Sequence, residues 1–167
     1  MTASIQEHRA VATVSYRNAT LDDRAAITAL LEAAHLPSRE VEPFIRGFVV
    51  AEQDGMVVAC GGIEVHADTA VLRSVAVDES VQGSGIGRRL AFKLIAEAIG
   101  RGALDIYLFT ADAWQFWQKV GFVEITLDDW RQPARRSWQY AYVSANQEFV
   151  RSFNLRTMWM PGRPMNV

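Results

Sequence analysis

The sequence predicts an α/β fold of mixed type: one central mixed sheet with helices on both faces. Short turn signals join apolar, β-branched runs between Phe48 and Val77, which predicts an antiparallel meander. A helical pattern from Ile86 to Ala98 then lies between two buried strands, and a crossover of that kind makes them parallel. With 167 residues, half of them apolar, the chain can bury one core. Residues 1–167 therefore read as a single domain, with a flexible arm at 1–12 and a helix-strand extension at 129–167.

Each element has its own signal. Thr13 to Arg17 reads as a short strand. Thr20 then caps a helix with Asp23 at its third position, and Ile27, Leu30, Leu31 and Ala34 recur at i, i+3, i+4 and i+7, so one face packs on the sheet. Pro37 to Pro43 is a broken, partly helical connection. Phe48 to Glu52 and Met56 to Val65 form a hairpin through Gln53-Asp54-Gly55, and His66-Ala67-Asp68 turns into the strand Val71 to Val77. Ile86, Leu90, Ala91, Leu94, Ile95 and Ala98 make the apolar stripe of the next helix, opposite Arg89, Lys93, Glu97 and Arg101, and Gly102 closes it. Leu104 to Thr110 is the parallel partner strand. A helix from Ala113 to Val120, a strand from Phe122 to Leu127, a helical stretch within Pro133 to Phe153 and a last strand near Leu155 to Met160 complete the order. Trp130, Trp138, Tyr140, Tyr142 and Trp159 crowd the C-terminal part, where core packing is the expected use; a homodimer interface or an aromatic substrate wall are the alternatives.

The run Gln82-Gly83-Ser84-Gly85-Ile86-Gly87 follows a strand and opens a helix. Its small residues let the backbone turn tightly and present N–H groups where the helix dipole favours an anion, such as a phosphate or pyrophosphate. A Walker loop would end in Gly-Lys-Ser/Thr, whereas Gly87 is followed by Arg88 and Arg89; a dinucleotide fingerprint would need its third glycine at Arg88. A dinucleotide-binding oxidoreductase thus lacks its motif.

Gln82, Gly85 and Gly87 do fall on the fixed positions of Gln/Arg-x-x-Gly-x-Gly/Ala, which resembles the pyrophosphate loop of the GNAT N-acetyltransferase superfamily. The resemblance extends over Leu72-Arg73-Ser74-Val75-Ala76-Val77 and Phe116-Trp117-Gln118-Lys119-Val120-Gly121-Phe122, and spans roughly Val14 to Leu127. It implies a GNAT-like fold, with acyl-CoA bound where the two parallel middle strands splay, acetyl-CoA as cofactor and CoA as product. It also implies that N–H groups of Gln82, Gly83, Ser84, Gly85, Ile86, Gly87 and Arg88 hold the pyrophosphate. Val75, Ala76 and Val77 would hydrogen-bond the pantetheine arm, and Val75 N–H would polarise the acetyl carbonyl. Where the family commonly carries a tyrosine that protonates the departing thiolate, this chain has Trp117, whose indole N–H is no acid at neutral pH. Within the superfamily, Gly62-Ile63-Glu64 and Tyr107-Leu108-Phe109-Thr110 look like the small acetyltransferases associated with arsenic-resistance operons. The Cys-Pro pair of those proteins is missing after Glu148-Phe149.

Glu64 interrupts the apolar run Val57 to Val65 beside the strand expected to carry the thioester. It is a candidate base for the acceptor amine, or else a solvent-facing residue or the partner of Arg73. Arg73 and Ser74 are placed to touch a carboxylate or phosphonate on the acceptor. Thr110 and Asp112 fall at the mouth of the cleft, Asp112 as the expected cap of the next helix. Three scattered histidines and the single Cys60 lack ligand spacing, so no metal is expected.

The 17 basic and 19 acidic residues give no reason to expect a nucleic acid or an anionic membrane as partner. No apolar run approaches the roughly 20 residues that span a bilayer, and Met1 to Ala12 has no signal-peptide core. A lone cysteine excludes a disulfide framework, which fits a cytoplasmic protein. The expected function is acetyl-CoA-dependent N-acetylation of a primary amine of a small molecule, by direct attack in a ternary complex. An acyl-CoA-binding sensor or catalytically silent homologue is the alternative.

Overall fold

The structure, a computed structural model, describes residues 13–145 and 150–156. Its strands are β1 (Val14–Asn18), β2 (Phe48–Gln53), β3 (Met56–His66), β4 (Thr69–Val77), β5 (Asp105–Thr110), β6 (Val123–Ile125) and β7 (Arg151–Arg156). They form one sheet in the order β1-β2-β3-β4-β5-β7-β6. Only β4 and β5 run parallel, as the crossover helix between them requires. The helices are α1 (Arg24–Ala33), α2 (Val41–Phe44), α3 (Ile86–Gly100), α4 (Trp114–Val120) and α5 (Trp138–Ser144).

Alternation along β2 shows how the sheet serves two cores. Val49 and Ala51 join Leu90, Leu94 and Ala98 of α3, while Phe48 and Val50 join Ile27 and Leu31 of α1. Helices therefore cover both faces. A third cluster lies at the far end of the sheet, where the Trp130 ring stacks on Tyr107 at 4.5 Å and on Phe109 at 4.4 Å. Core packing is thus the use of Trp130, and Tyr140 packs against the same cluster.

The chain enters α1 through a 3-10 turn, Leu21–Asp23, with Thr20 N–H donating to Asp23 Oδ2 at 2.8 Å. Asp23 also receives Arg17 through two bonds of 2.8 and 2.9 Å. The Arg17 bond outweighs burial and, with Thr20, holds this carboxyl at about 2.

Two C-terminal expectations move. The last described strand is Arg151–Arg156, which starts earlier than the expected Leu155 to Met160 and shares 155–156 with it; residues 157–160 lie outside the described residues, as do Trp159 and the arm at 1–12. Polar residues dominate β7, so its own pattern is weak. Its place is set by pairing with β5 on one side and β6 on the other. The strand expected from Phe122 to Leu127 shrinks to Val123–Ile125, because Thr126 N–H donates to Asp129 Oδ2 at 2.8 Å and starts a 3-10 turn instead. Among the described residues no helix is long and apolar enough to cross a membrane.

Candidate active site

Pairing between β4 and β5 runs from Thr69↔Asp105 to Leu72↔Leu108 and then stops. Beyond that point the strands part. A bulge drives the parting: between Cys60↔Ala76 and Gly62↔Arg73, the single residue Gly61 faces both Ser74 and Val75, with Ser74 at φ 53°. A Cβ on Gly61 would stand 2.5 Å from Leu94 Cδ1 and 3.2 Å from Val75 Cγ2, so glycine lets the bulge and α3 close against β3. Past the bulge, Asp78 N–H donates to Val58 C=O at 2.8 Å. Alternation then turns the N–H groups of Val77 and Val75 away from β3, toward the opened side.

At the end of this exposed edge sits the glycine loop. Gly85, at φ 87°, is the N-cap of α3, and Gly83 has φ 78°, both in the left-handed region that side chains resist. Gln82 Nε2 donates to Val77 C=O at 3.0 Å and ties the loop to β4. A Cβ on Gly87 would lie 3.2 Å from Val77 Cγ2, so the first turn of α3 packs directly on the strand.

Edge and loop border a cleft of about 1280 Å³. Of the expected site residues, Arg73, Ser74, Val75, Ala76, Val77, Gln82, Gly83, Gly85, Gly87, Arg88, Thr110 and Trp117 line it. Three do not. Ser84 is exposed, with its hydroxyl turned to Val81 C=O; Ile86 puts its side chain into the core; and Glu64 is buried behind Arg73.

Glu64 is neither on an edge strand nor facing solvent, since β3 lies inside the sheet. Its Oε1 accepts from Arg73 Nη1 at 2.7 Å, and its Oε2 lies 3.3 Å from His66 Nε2. The partnership with Arg73 is thus the observed one. Arg73 also approaches Ser74 Oγ at 3.4 Å, and its guanidinium lies 4.9 Å from the ring centre of Phe44 and 5.4 Å from that of Trp138. Burial pulls its pKa below the ordinary arginine value, and the Glu64 carboxylate opposes that shift.

Thr110 Oγ1 accepts from Ala113 N–H at 3.0 Å. The cap of α4 expected from Asp112 is corrected: Ala113 is the N-cap, no side chain bonds the first turn, and Asp112 is exposed. Trp117 is 5% exposed and meets Phe116 and Phe122 edge-on at 5.0 and 5.4 Å. Cys60 stays a buried thiol, pushed up to about 12 by desolvation.

Sequence reasoning passed over two features. The adjacent glycines Gly61 and Gly62 in a strand interior were the available signal for the bulge. Gln139, from the short helix α5, also reaches the cleft wall, and nothing in its local pattern announces it, whereas its neighbours Trp138 and Tyr142 line the cleft as the aromatic-wall alternative expected. Gln139 is 8% exposed, and its Oε1 has no hydrogen-bond partner among the described residues.

Known proteins bear on this geometry. A family model described as an acetyltransferase (GNAT) domain matches residues 45–124. The chain is 31% identical over 134 residues to an amino-acid acetyltransferase of Ralstonia nicotianae, covering 74% of this chain and 30% of that protein. Among solved structures, N-acetylglutamate synthase from Neisseria gonorrhoeae, complexed with coenzyme A and N-acetyl-glutamate, superposes with a TM-score of 0.77 at 26% identity, over 89% of this chain and 36% of that one. This chain therefore spans about a third of the length of these larger proteins. It is also 33% identical over 117 residues to an uncharacterized N-acetyltransferase of Chlorobaculum tepidum, covering 65% of this chain and 75% of that protein. That likeness over three quarters of a whole relative, joined to the family match across the bulge and the glycine loop, shows that the chain belongs to the GNAT family of N-acetyltransferases.

Proposed function

We propose that the protein transfers the acetyl group of acetyl-CoA to the free amine of an amino acid, by direct attack in a ternary complex. The observation that carries this reading is the unpaired edge of β4 beyond Leu72, with the N–H groups of Val75 and Val77 turned to the cleft and a glycine loop at its end. That edge fits an extended ligand with amide groups, and the loop fits a pyrophosphate. The amino-acid acceptor is supported by the similarity to amino-acid acetyltransferases of Ralstonia nicotianae and Ectopseudomonas mendocina.

Acetyl-CoA supplies the activated acyl group as a thioester. Val75 and Val77 pair with its pantetheine arm as though with another strand. The N–H groups from Gln82 to Arg88, at the positive end of the α3 dipole, compensate its pyrophosphate. Val75 N–H, aimed by the bulge, polarises the acetyl carbonyl as a preorganised donor. Ser74 and Thr110 line the acceptor's approach, and Glu64 acts through Arg73, which it holds in place. Trp117 fills the wall and keeps water from the reacting carbon. It donates no proton, so the departing thiolate takes one from water or from the amine that has attacked.

One observation favours a second reading, an acyl-CoA-binding sensor: Trp117 stands where the family's acid tyrosine is common. Thiol release from acetyl-CoA over a panel of amino acids separates the two. Release dependent on one amino acid supports the transferase; saturable acetyl-CoA binding without release for any amine supports the sensor.

A further inference from the structure

We propose that the acceptor is a monocarboxylate amino acid with an apolar or aromatic side chain, and that Arg73 and Gln139 recognise its zwitterionic end. The proposal rests on the amino-acid acetyltransferase reading and narrows it.

Charge sets the first limit. Arg73, with a side chain only 2% exposed, is already neutralised by Glu64 at 2.7 Å. Its Nη2 has no acceptor among the described residues, while Nη1 and Nε are taken by Glu64 and Ser74. The other basic side chains of the cleft wall are His35 after α1, Arg88 at the start of α3 and Lys119 in α4, and the further charge that acts on Arg73 besides Glu64 is the carboxylate of Glu40. A zwitterion can therefore place its carboxylate on Nη2 and add no net charge to this dry corner. A second carboxylate, as in glutamate, would enter it without a counter-ion, and burying an unpaired charge is strongly disfavoured.

Gln139 sets the second limit. Trp138 stacks over the Arg73 guanidinium, and the next residue in α5 presents a buried amide to the same wall. Its Oε1, without a partner among the described residues, calls for an N–H donor. In an amino acid the ammonium sits one carbon from the carboxylate, so a zwitterion held by Arg73 carries an N–H donor along the same wall that Gln139 lines. The third limit is the remaining surface. Trp138 and Tyr142 stack at 5.2 Å and, with Leu36, Pro37 and Val143, make an apolar wall suited to a hydrocarbon or aromatic side chain.

The test is steady-state CoA release by the full chain with phenylalanine, leucine, glutamate, phenylalanine amide and phenethylamine, with acetyl-CoA affinity measured separately. The expected result is a kcat/KM for phenylalanine or leucine about 100-fold above that for glutamate, with a comparable loss for the amide and the decarboxylated amine. Gln139→Leu should raise the amino-acid KM about tenfold and leave acetyl-CoA affinity unchanged. Should Arg73→Leu fail to fold because Glu64 loses its partner, Arg73→Leu/Glu64→Leu removes both charges and should erase the preference for acid over amide. Glutamate accepted as well as phenylalanine, or the amide accepted as well as the acid, overturns the proposal while leaving the transferase reading intact. Acetyl-CoA binding with no release for any amine overturns both.

Discussion

Arg73 Nη1 and Glu64 Oε1 meet at 2.7 Å across β4 and β3, with side chains 2% and 5% exposed. The arginine precedes the bulge at Ser74, so the pair anchors the strand just where it parts from β5.

Glu64→Gln should therefore act through Arg73. Removing one charge of a buried pair costs about 3 kcal/mol of stability, since the other is left uncompensated. The expected kinetic effect is a rise of about tenfold in the acceptor KM, with a deficit that persists as pH is raised. Initial rates across pH check it: a deficit that closes at high pH, where the amine arrives neutral, would return Glu64 to the role of base.

At the glycine loop, Gly85→Val forces a β-branched residue into φ 87° and crowds the position proposed for the pyrophosphate. Acetyl-CoA at about 100 times its Kd should stabilise the native protein by roughly 2.7 kcal/mol, and the variant should lose most of that gain. Thermal unfolding with and without acetyl-CoA measures it. An undiminished shift in a folded variant would remove the loop from the cofactor site.

Trp117→Phe keeps an aromatic filler against Phe116 and Phe122. If Trp117 only packs and excludes water, kcat should stay within about tenfold, less than the 100-fold typical of a lost general acid. A larger fall in a folded protein would assign the indole a direct part in the chemistry.

Gly61→Ala tests the bulge. The new Cβ would press on Leu94 Cδ1 and crowd Val75, at an overpacking cost of about 1–3 kcal/mol. Because Val75 N–H is the donor proposed for the acetyl carbonyl, kcat should fall by roughly tenfold or more. The acetyl-CoA Kd, set largely by the loop, should change little; equal losses in both would mean that the whole cleft has moved.

Asp23 gives the pH dependence of stability. Its carboxyl stands at about 2 in the fold against an ordinary 3.8, because Arg17 and Thr20 bond the ionised form. A depressed carboxyl stabilises above its unfolded value, so the contribution is full above about pH 4 and is lost as pH falls through about 2. Discounted for the exposure of Arg17, it amounts to about 2 kcal/mol. Asp23→Asn should be less stable by that amount near pH 7 in urea unfolding, with the gap closing toward pH 2. A gap unchanged by pH would show that shape at the cap, rather than charge, is what Asp23 supplies.

Much of this was readable along the chain. The Thr20–Asp23 helix entry, the Asp54-Gly55 turn, the α3 stripe and the spacing of Gln82, Gly85 and Gly87 are all local signals. Each depends on a repeat of 2 or 3.6 residues, or on a backbone angle that glycine alone adopts freely. The sequence by itself thus determined the mixed sheet, its parallel crossover and the glycine loop that opens α3. Tertiary structure alone decided that Glu64 belongs to Arg73, that β7 slides between β5 and β6, and that Trp138 and Gln139 face the cleft. Those outcomes depend on partners distant in sequence: a buried charge takes whichever opposite charge the fold brings within 3 Å, and a polar strand is held by the ladders beside it.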